Sequence, residues 1–184
     1  MQTCFHTRIV LSLTLCVGLA TVATSQAGQA AHPDGDGSLR ITGAQQLWHT
    51  VQFDLAGPYA SETDTSPNPF TDHRMTLVLT HEDGQRLSIP GYFAADGDAA
   101  NSSESSGTVW RALFVPTATG RWHYRVHFHT GVDCALATDT AGEPLPAFDG
   151  ATGFLDIGES TASGRDLRAH GLLRYVGRRY LQFA

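Results

Sequence analysis

Apolar residues recur with a period of two over most of the chain. Leu47, Val51, Phe53 and Leu55 share one parity, interrupted by His49. Met75, Leu77 and Leu79 form a second run that ends at the turn signal Asp83-Gly84. Leu87 and Ile89 follow, stopped by Pro90-Gly91, and Trp110, Ala112 and Phe114 then share one face between Val109 and Val115. The clearest run is Arg121 to His129, in which Trp122, Tyr124, Val126 and Phe128 alternate with His123, Arg125, His127 and His129. Such alternation predicts half-buried antiparallel strands. Past the N-terminal segment, no stretch carries the i, i+3, i+4, i+7 spacing of a long amphipathic helix. Short strands punctuated by turn signals predict an all-β antiparallel β-sandwich, whose Trp, Tyr and Phe side chains bury enough area to fold without covalent staples.

The two ends read differently. Met1 to Arg8 carries one charged side chain, an uncharged apolar run from Ile9 to Ala20 follows, and small residues around Ser25-Gln26-Ala27 close the segment. This is the order of a secretory signal, and it predicts export to the periplasm or the medium. Leu13-Thr14-Leu15 before Cys16 lacks the small residue that lipid attachment requires. Residues 28–43 read as a flexible leader and 44–158 as the sandwich, with Gly153 to Ile157 as its closing strand. Gly158 to Gly164 is small and polar, a linker by composition. Leu172 to Val176 and Tyr180 to Phe183 then predict a strand pair around Gly177-Arg178-Arg179. No polar residue closes the final Tyr-Leu-Gln-Phe-Ala, so residues 159–184 are expected to be the linker and first strands of a truncated C-terminal domain.

Composition narrows the function classes. The chain has 184 residues, and its 12 basic side chains are all arginine, against 18 acidic ones. A net charge of −6, or −7 once Arg8 is cleaved away, leaves no basic face for nucleic acid or anionic membrane. Cleavage also removes Cys4 and Cys16, leaving Cys134, expected as a half-buried loop thiol that forms no internal disulfide. The length excludes a complete (β/α)₈ barrel, which needs roughly 250 residues. No nucleophile elbow, phosphate loop, dinucleotide fingerprint or His-Glu-x-x-His motif is present, so neither catalytic residues nor a cofactor is expected.

Several motifs carry a resemblance. Asn68-Pro69-Phe70-Thr71-Asp72, Asp83-Gly84, Gly91-Tyr92-Phe93-Ala94-Ala95-Asp96-Gly97-Asp98, Trp110-Arg111-Ala112-Leu113-Phe114-Val115-Pro116, Gly120-Arg121-Trp122-His123-Tyr124 and Gly153-Phe154 follow in order. The chain thereby resembles the N-terminal immunoglobulin-like domain of unknown function that precedes the catalytic barrel of secreted apiosidase-like glycoside hydrolases. The resemblance covers about residues 44 to 184. It implies an immunoglobulin-like sandwich, a catalytic barrel in cis as partner, and a final strand pair that opens the barrel. Tyr92-Phe93 reverses the family's aromatic order, and Ala99 to Gly107 lengthens the loop. Trp110, Pro116, Gly120, Trp122 and Tyr124 read as builders of the fold.

Candidate sites are few. Tyr59, Phe70, Tyr92 and Phe93 could stack on sugar rings, as in an independent carbohydrate-binding module. Val109, Leu113 and Val115 beside Arg111 could instead form a docking face for a barrel, and a structural or adhesion role unconnected to sugars is a third reading. Asp96 and Asp98, with Asn101 and Glu104 nearby, are metal candidates, although Gly107 stands where a calcium loop needs its glutamate. His127 and His129, about 7 Å apart along the strand, have the residue types of a zinc site, with His123 on the same face. The sequence names no further ligand, and solvent-facing histidines are the reading taken. Asn101-Ser102-Ser103 is a glycosylation acceptor by pattern, of consequence in a eukaryotic host.

Overall fold

The computed structural model describes residues 32–137, 141–177 and 179–183. The expected signal segment and its cleavage site lie outside the described residues.

Each alternating run is a strand. Val51–Ser61 (β2), His73–His81 (β3), Ser106–Phe114 (β6) and Gly120–Thr130 (β7) are the long ones. Leu39–Thr42 (β1), Arg86–Pro90 (β4), Tyr92–Phe93 (β5), Glu143–Pro144 (β8) and Thr152–Ile157 (β9) complete two antiparallel sheets. One sheet runs β1-β2-β6-β5. The other runs β4-β3-β7, and β8 and β9 both pair with β7. The phases expected from the sequence hold: Val51, Phe53, Leu55, Met75, Leu77, Leu79, Trp110, Ala112, Phe114, Trp122, Val126 and Phe128 are all buried. Aromatic contacts join the sheets face to face, with Trp110 against Phe128 at 4.9 Å and Phe114 against Trp122 at 5.1 Å between ring centroids. The fold is an all-β sandwich.

The leader is more ordered than expected. Leu39–Thr42 pairs with Leu55 to Gln52, and Gly35 and Gly37 donate backbone hydrogen bonds to Gly57 and Ala56. A lead rich in Gly and Asp lacks apolar alternation, yet its backbone groups can still close a sheet edge. The long loop before β6 contains a single helical turn, Ala99–Ser102.

The fold motifs work locally. Gly120 opens β7 at φ +102°, a left-handed conformation that a side chain disfavours. Pro116 is buried just past β6, where its carbonyl accepts a bond from Trp48. Trp122 donates from Nε1 to the Ala118 carbonyl at 3.0 Å. Tyr124 is half-buried, its ring over Gly153 where a Cβ would collide with the phenol.

The expected final pair is present: Leu173–Tyr175 (β10) and Leu181–Phe183 (β11) form an antiparallel two-stranded sheet separate from the sandwich sheets. Its apolar side chains, including Leu173, Tyr175, Leu181 and Phe183, are exposed.

Candidate functional site

At one edge the chain leaves β4, turns at Gly91 and enters β5 of the opposite sheet. The seam between the sheets is open there, and it holds a cleft of about 420 Å³. Three of the four aromatics proposed for sugar stacking line it. Phe70 (53% exposed) and Tyr92 (47%) stand at its rim, while Phe93 (8%) is inside, with Trp110 behind it. Phe70 meets Phe93 edge-on at 6.4 Å, and Phe93 meets Trp110 at 5.2 Å. Tyr59 does not line the cleft; it stacks on His32 at 4.4 Å.

The Asn-Pro-Phe-Thr-Asp motif is what presents Phe70. The Asn68 side-chain oxygen accepts the Phe70 N–H at 2.8 Å, and the Asp72 carboxylate accepts the N–H groups of Asn68 and Asp133 at 2.9 and 3.0 Å. These bonds hold the Asp72 carboxyl below the usual aspartate range, led by the one from Asn68. A turn fixed at both ends can hold an exposed phenyl ring at an angle that a mobile loop could not.

Polar groups complete the lining. Arg74, Thr76 and Ser88 border the cleft, and the Arg74 guanidinium donates to the carbonyls of Cys134 and Ala141 at 3.1 and 2.7 Å. His73 also lines it; the imidazole is 8% exposed, and its Nδ1 is buried without a partner. Burial lowers the His73 pKa, outweighing the opposing pull of Asp72 and Asp34, so the ring is neutral at pH 7. Sequence reading missed His73 because it sits at the end of an apolar run in inward phase, where alternation alone marks a core position.

The remaining candidates are dispersed. Asp96 accepts the Asp98 N–H at 2.8 Å and Asp98 accepts from the Asn101 side chain at 2.7 Å, so both carboxylates brace their own loop. A side-chain bond from Ser102, then that from Asp98, holds the Asp96 carboxyl low. No third ligand joins them among the described residues. Arg111, on the expected docking face, forms a two-pronged pair with Asp54 at 2.6 and 3.0 Å; Leu113 and Val115 are exposed beside it, and Val109 is half-buried. His123 lies 6.3 Å from Phe154, away from His127 and His129, which approach Asp149. Cys134 is fully buried rather than half-buried, with Sγ 3.3 Å from the Asp72 carbonyl, and this burial raises its pKa. The thiol is therefore a poor nucleophile.

The sequence profile of a family described as "Domain of unknown function (DUF5060)" matches residues 44–129. Among solved structures, the chain is similar to a "putative glycoside hydrolase" from Bacteroides vulgatus ATCC 8482, at 19% identity and a TM-score of 0.38. That alignment covers 71% of this chain and 17% of the other. No curated protein matches.

Proposed function

We propose that the chain is a non-catalytic accessory β-sandwich of a secreted carbohydrate-active protein, and that it meets carbohydrate in the Phe70–Tyr92 cleft. The observation that carries this reading is the gathering of Phe70, Tyr92 and Phe93 around one concave opening. Exposed rings beside a cleft of a few hundred Å³, with a small number of polar groups, suit a ligand that is apolar on its faces and polar at its rim. A pyranose ring has that character: its C–H face stacks on an aromatic ring, and its hydroxyls reach Ser88, Thr76 and the neutral His73. Affinity electrophoresis against soluble polysaccharides tests it. Retardation by at least one polysaccharide, lost in Phe70→Ala/Tyr92→Ala and kept in Tyr59→Ala, is expected. Unretarded migration on every polysaccharide, or equal loss in Tyr59→Ala, would overturn it.

A second reading, packing on a carbohydrate-active domain in cis, is favoured by the outward pair Leu113 and Val115 and by the exposed apolar strands β10 and β11. In a longer protein carrying this chain, thiol labelling of Leu113→Cys would be suppressed if that face is covered. Full labelling would exclude it.

A further inference from the structure

A second cluster lies on the outer face of the β3–β7 sheet, towards the edge where β8 and β9 join it. β8 pairs with β7 at His129 and Thr130, and β9 pairs with it from Arg125 down to Gly120. Between them the chain leaves the ladder in a tight connector, 145–151, opposite Phe128. Phe148 turns inward from that connector and packs 6.0 Å from Phe128. The next residue, Asp149, turns its carboxylate back to the strand and accepts the Phe128 N–H at 2.9 Å, satisfying a donor that the interrupted ladder leaves free.

That placement brings Asp149 beside two outward-facing histidines of β7. Asp149 Oδ1 is 3.5 Å from His127 Nδ1 and 3.9 Å from His129 Nε2, and one ligand atom from each of the three residues lies within 4.8 Å of the other two. We propose that His127, His129 and Asp149 form a binding site for a divalent transition ion of the zinc type.

The argument rests on spacing and on unmet bonding capacity. Among the described residues neither imidazole makes a hydrogen bond through the nitrogen that faces Asp149, because the separations to its carboxylate are at or beyond the limit for one. Ligand atoms about 2.0–2.1 Å from a tetrahedral zinc lie roughly 3.3 Å apart, so the trio, now within 4.8 Å of one another, closes by at most about 1.5 Å to seat an ion. Two imidazoles and one carboxylate are ligand types that zinc takes, and three protein ligands leave a further position open. The ligands are preorganised, since the histidines stand on a central strand with their rings 6.2 Å apart and the carboxylate is fixed by the Phe128 N–H. Both histidines also line a groove of about 500 Å³ with Thr76, Ser88 and Arg86, which gives the ion a path from solvent. The cationic neighbour Arg74, opposite His129 in register, directs its guanidinium to the carbonyls of Cys134 and Ala141.

Equilibrium dialysis of the untagged chain against zinc chloride, with elemental analysis, tests the site. One zinc per chain is expected. His127→Ala/His129→Ala should weaken binding by roughly 100-fold or more, since loss of outer-shell partners alone costs 10–100-fold. Asp149→Asn keeps an oxygen for the Phe128 N–H and loses the charge, so it should stay folded by circular dichroism and still bind more weakly. His123→Ala, on the same strand face outside the cluster, should bind as the parent chain does. Cobalt(II) should bind with tetrahedral visible absorption that disappears in Asp149→Asn. No zinc uptake by the parent chain, unchanged affinity in Asp149→Asn, or equal loss in His123→Ala would overturn the proposal. None of these outcomes depends on the aromatic cleft.

Discussion

Trp110→Phe is the perturbation that most directly tests how the sandwich supports its cleft. Trp110 is fully buried on β6 and touches Phe93, Phe128 and His73 with ring centroids 4.9–5.4 Å away. Its Nε1 donates to the Pro58 carbonyl at 3.0 Å, across a break in the β2–β6 register between Ala56 and Ala60. Phenylalanine keeps one ring and removes the other. The vacated space, roughly 40 Å³ at about 24 cal/mol per Å³, costs about 1 kcal/mol before the lost transfer energy of the removed ring is added. The Pro58 carbonyl, buried and left without its donor, adds about 1–3 kcal/mol. The sum, a lower bound without that transfer energy, is about 3 kcal/mol, or roughly 6–12 °C in Tm for a domain of about 150 residues. Urea unfolding followed by far-UV circular dichroism measures it without relying on tryptophan emission. A loss below about 1 kcal/mol would refute the reasoning, because the carbonyl would then have found another donor at no cost.

Two further predictions concern pH and backbone space. Burial lowers the His73 pKa, so the unfolded chain takes up a proton near pH 6.5 that the folded chain refuses, and stability should fall as the pH drops below about 6.5. His73→Phe should flatten that acid limb in pH-dependent melting, and an unchanged limb would exclude His73 as its source. His81 runs the other way: bonds to Asp83 and the Thr119 carbonyl raise its pKa, so its contribution is present below about pH 6.5 and fades as the pH rises through the raised value. Asp83→Asn should shrink that alkaline fade. Finally, Gly153→Ala should destabilise the chain by about 1–3 kcal/mol, because the new methyl overlaps the Tyr124 phenol on the paired strand. Tyr124→Phe in the same chain should recover part of the loss, and no recovery would mean that the strain lies elsewhere.

The long strands were legible because one face of each is buried: Met75, Leu77 and Leu79 can occupy only one side of a pleat. The strand pair β10–β11 was visible for its apolar runs and its glycine turn, although neither strand is buried. β1 was not legible, since Arg40 and Thr42 alternate with only two apolar neighbours and the strand is held by its ladder to β2. At the cleft, the sequence named Phe70, Tyr92 and Phe93 by residue type, but Tyr59, inside the β2 irregularity between Ala56 and Ala60, stacks on His32 instead. Asp149 carried no signal at all. Its place beside His127 and His129 depends on the partner of one backbone N–H, and periodicity does not report such a fact.

The interrupted edge of β7 has a consequence of its own. Two short strands share that edge, so the outward side chain at Asp149 can change while Phe148 and the ladders on either side keep their places. The β7 histidines, by contrast, are fixed by a nine-pair ladder with β3. The trio thus divides into a rigid half and an adjustable half. Exchanging Asp149 alone would retune which ion is held there, while Leu145, Phe148 and Ala151 of the same connector stay packed on the core.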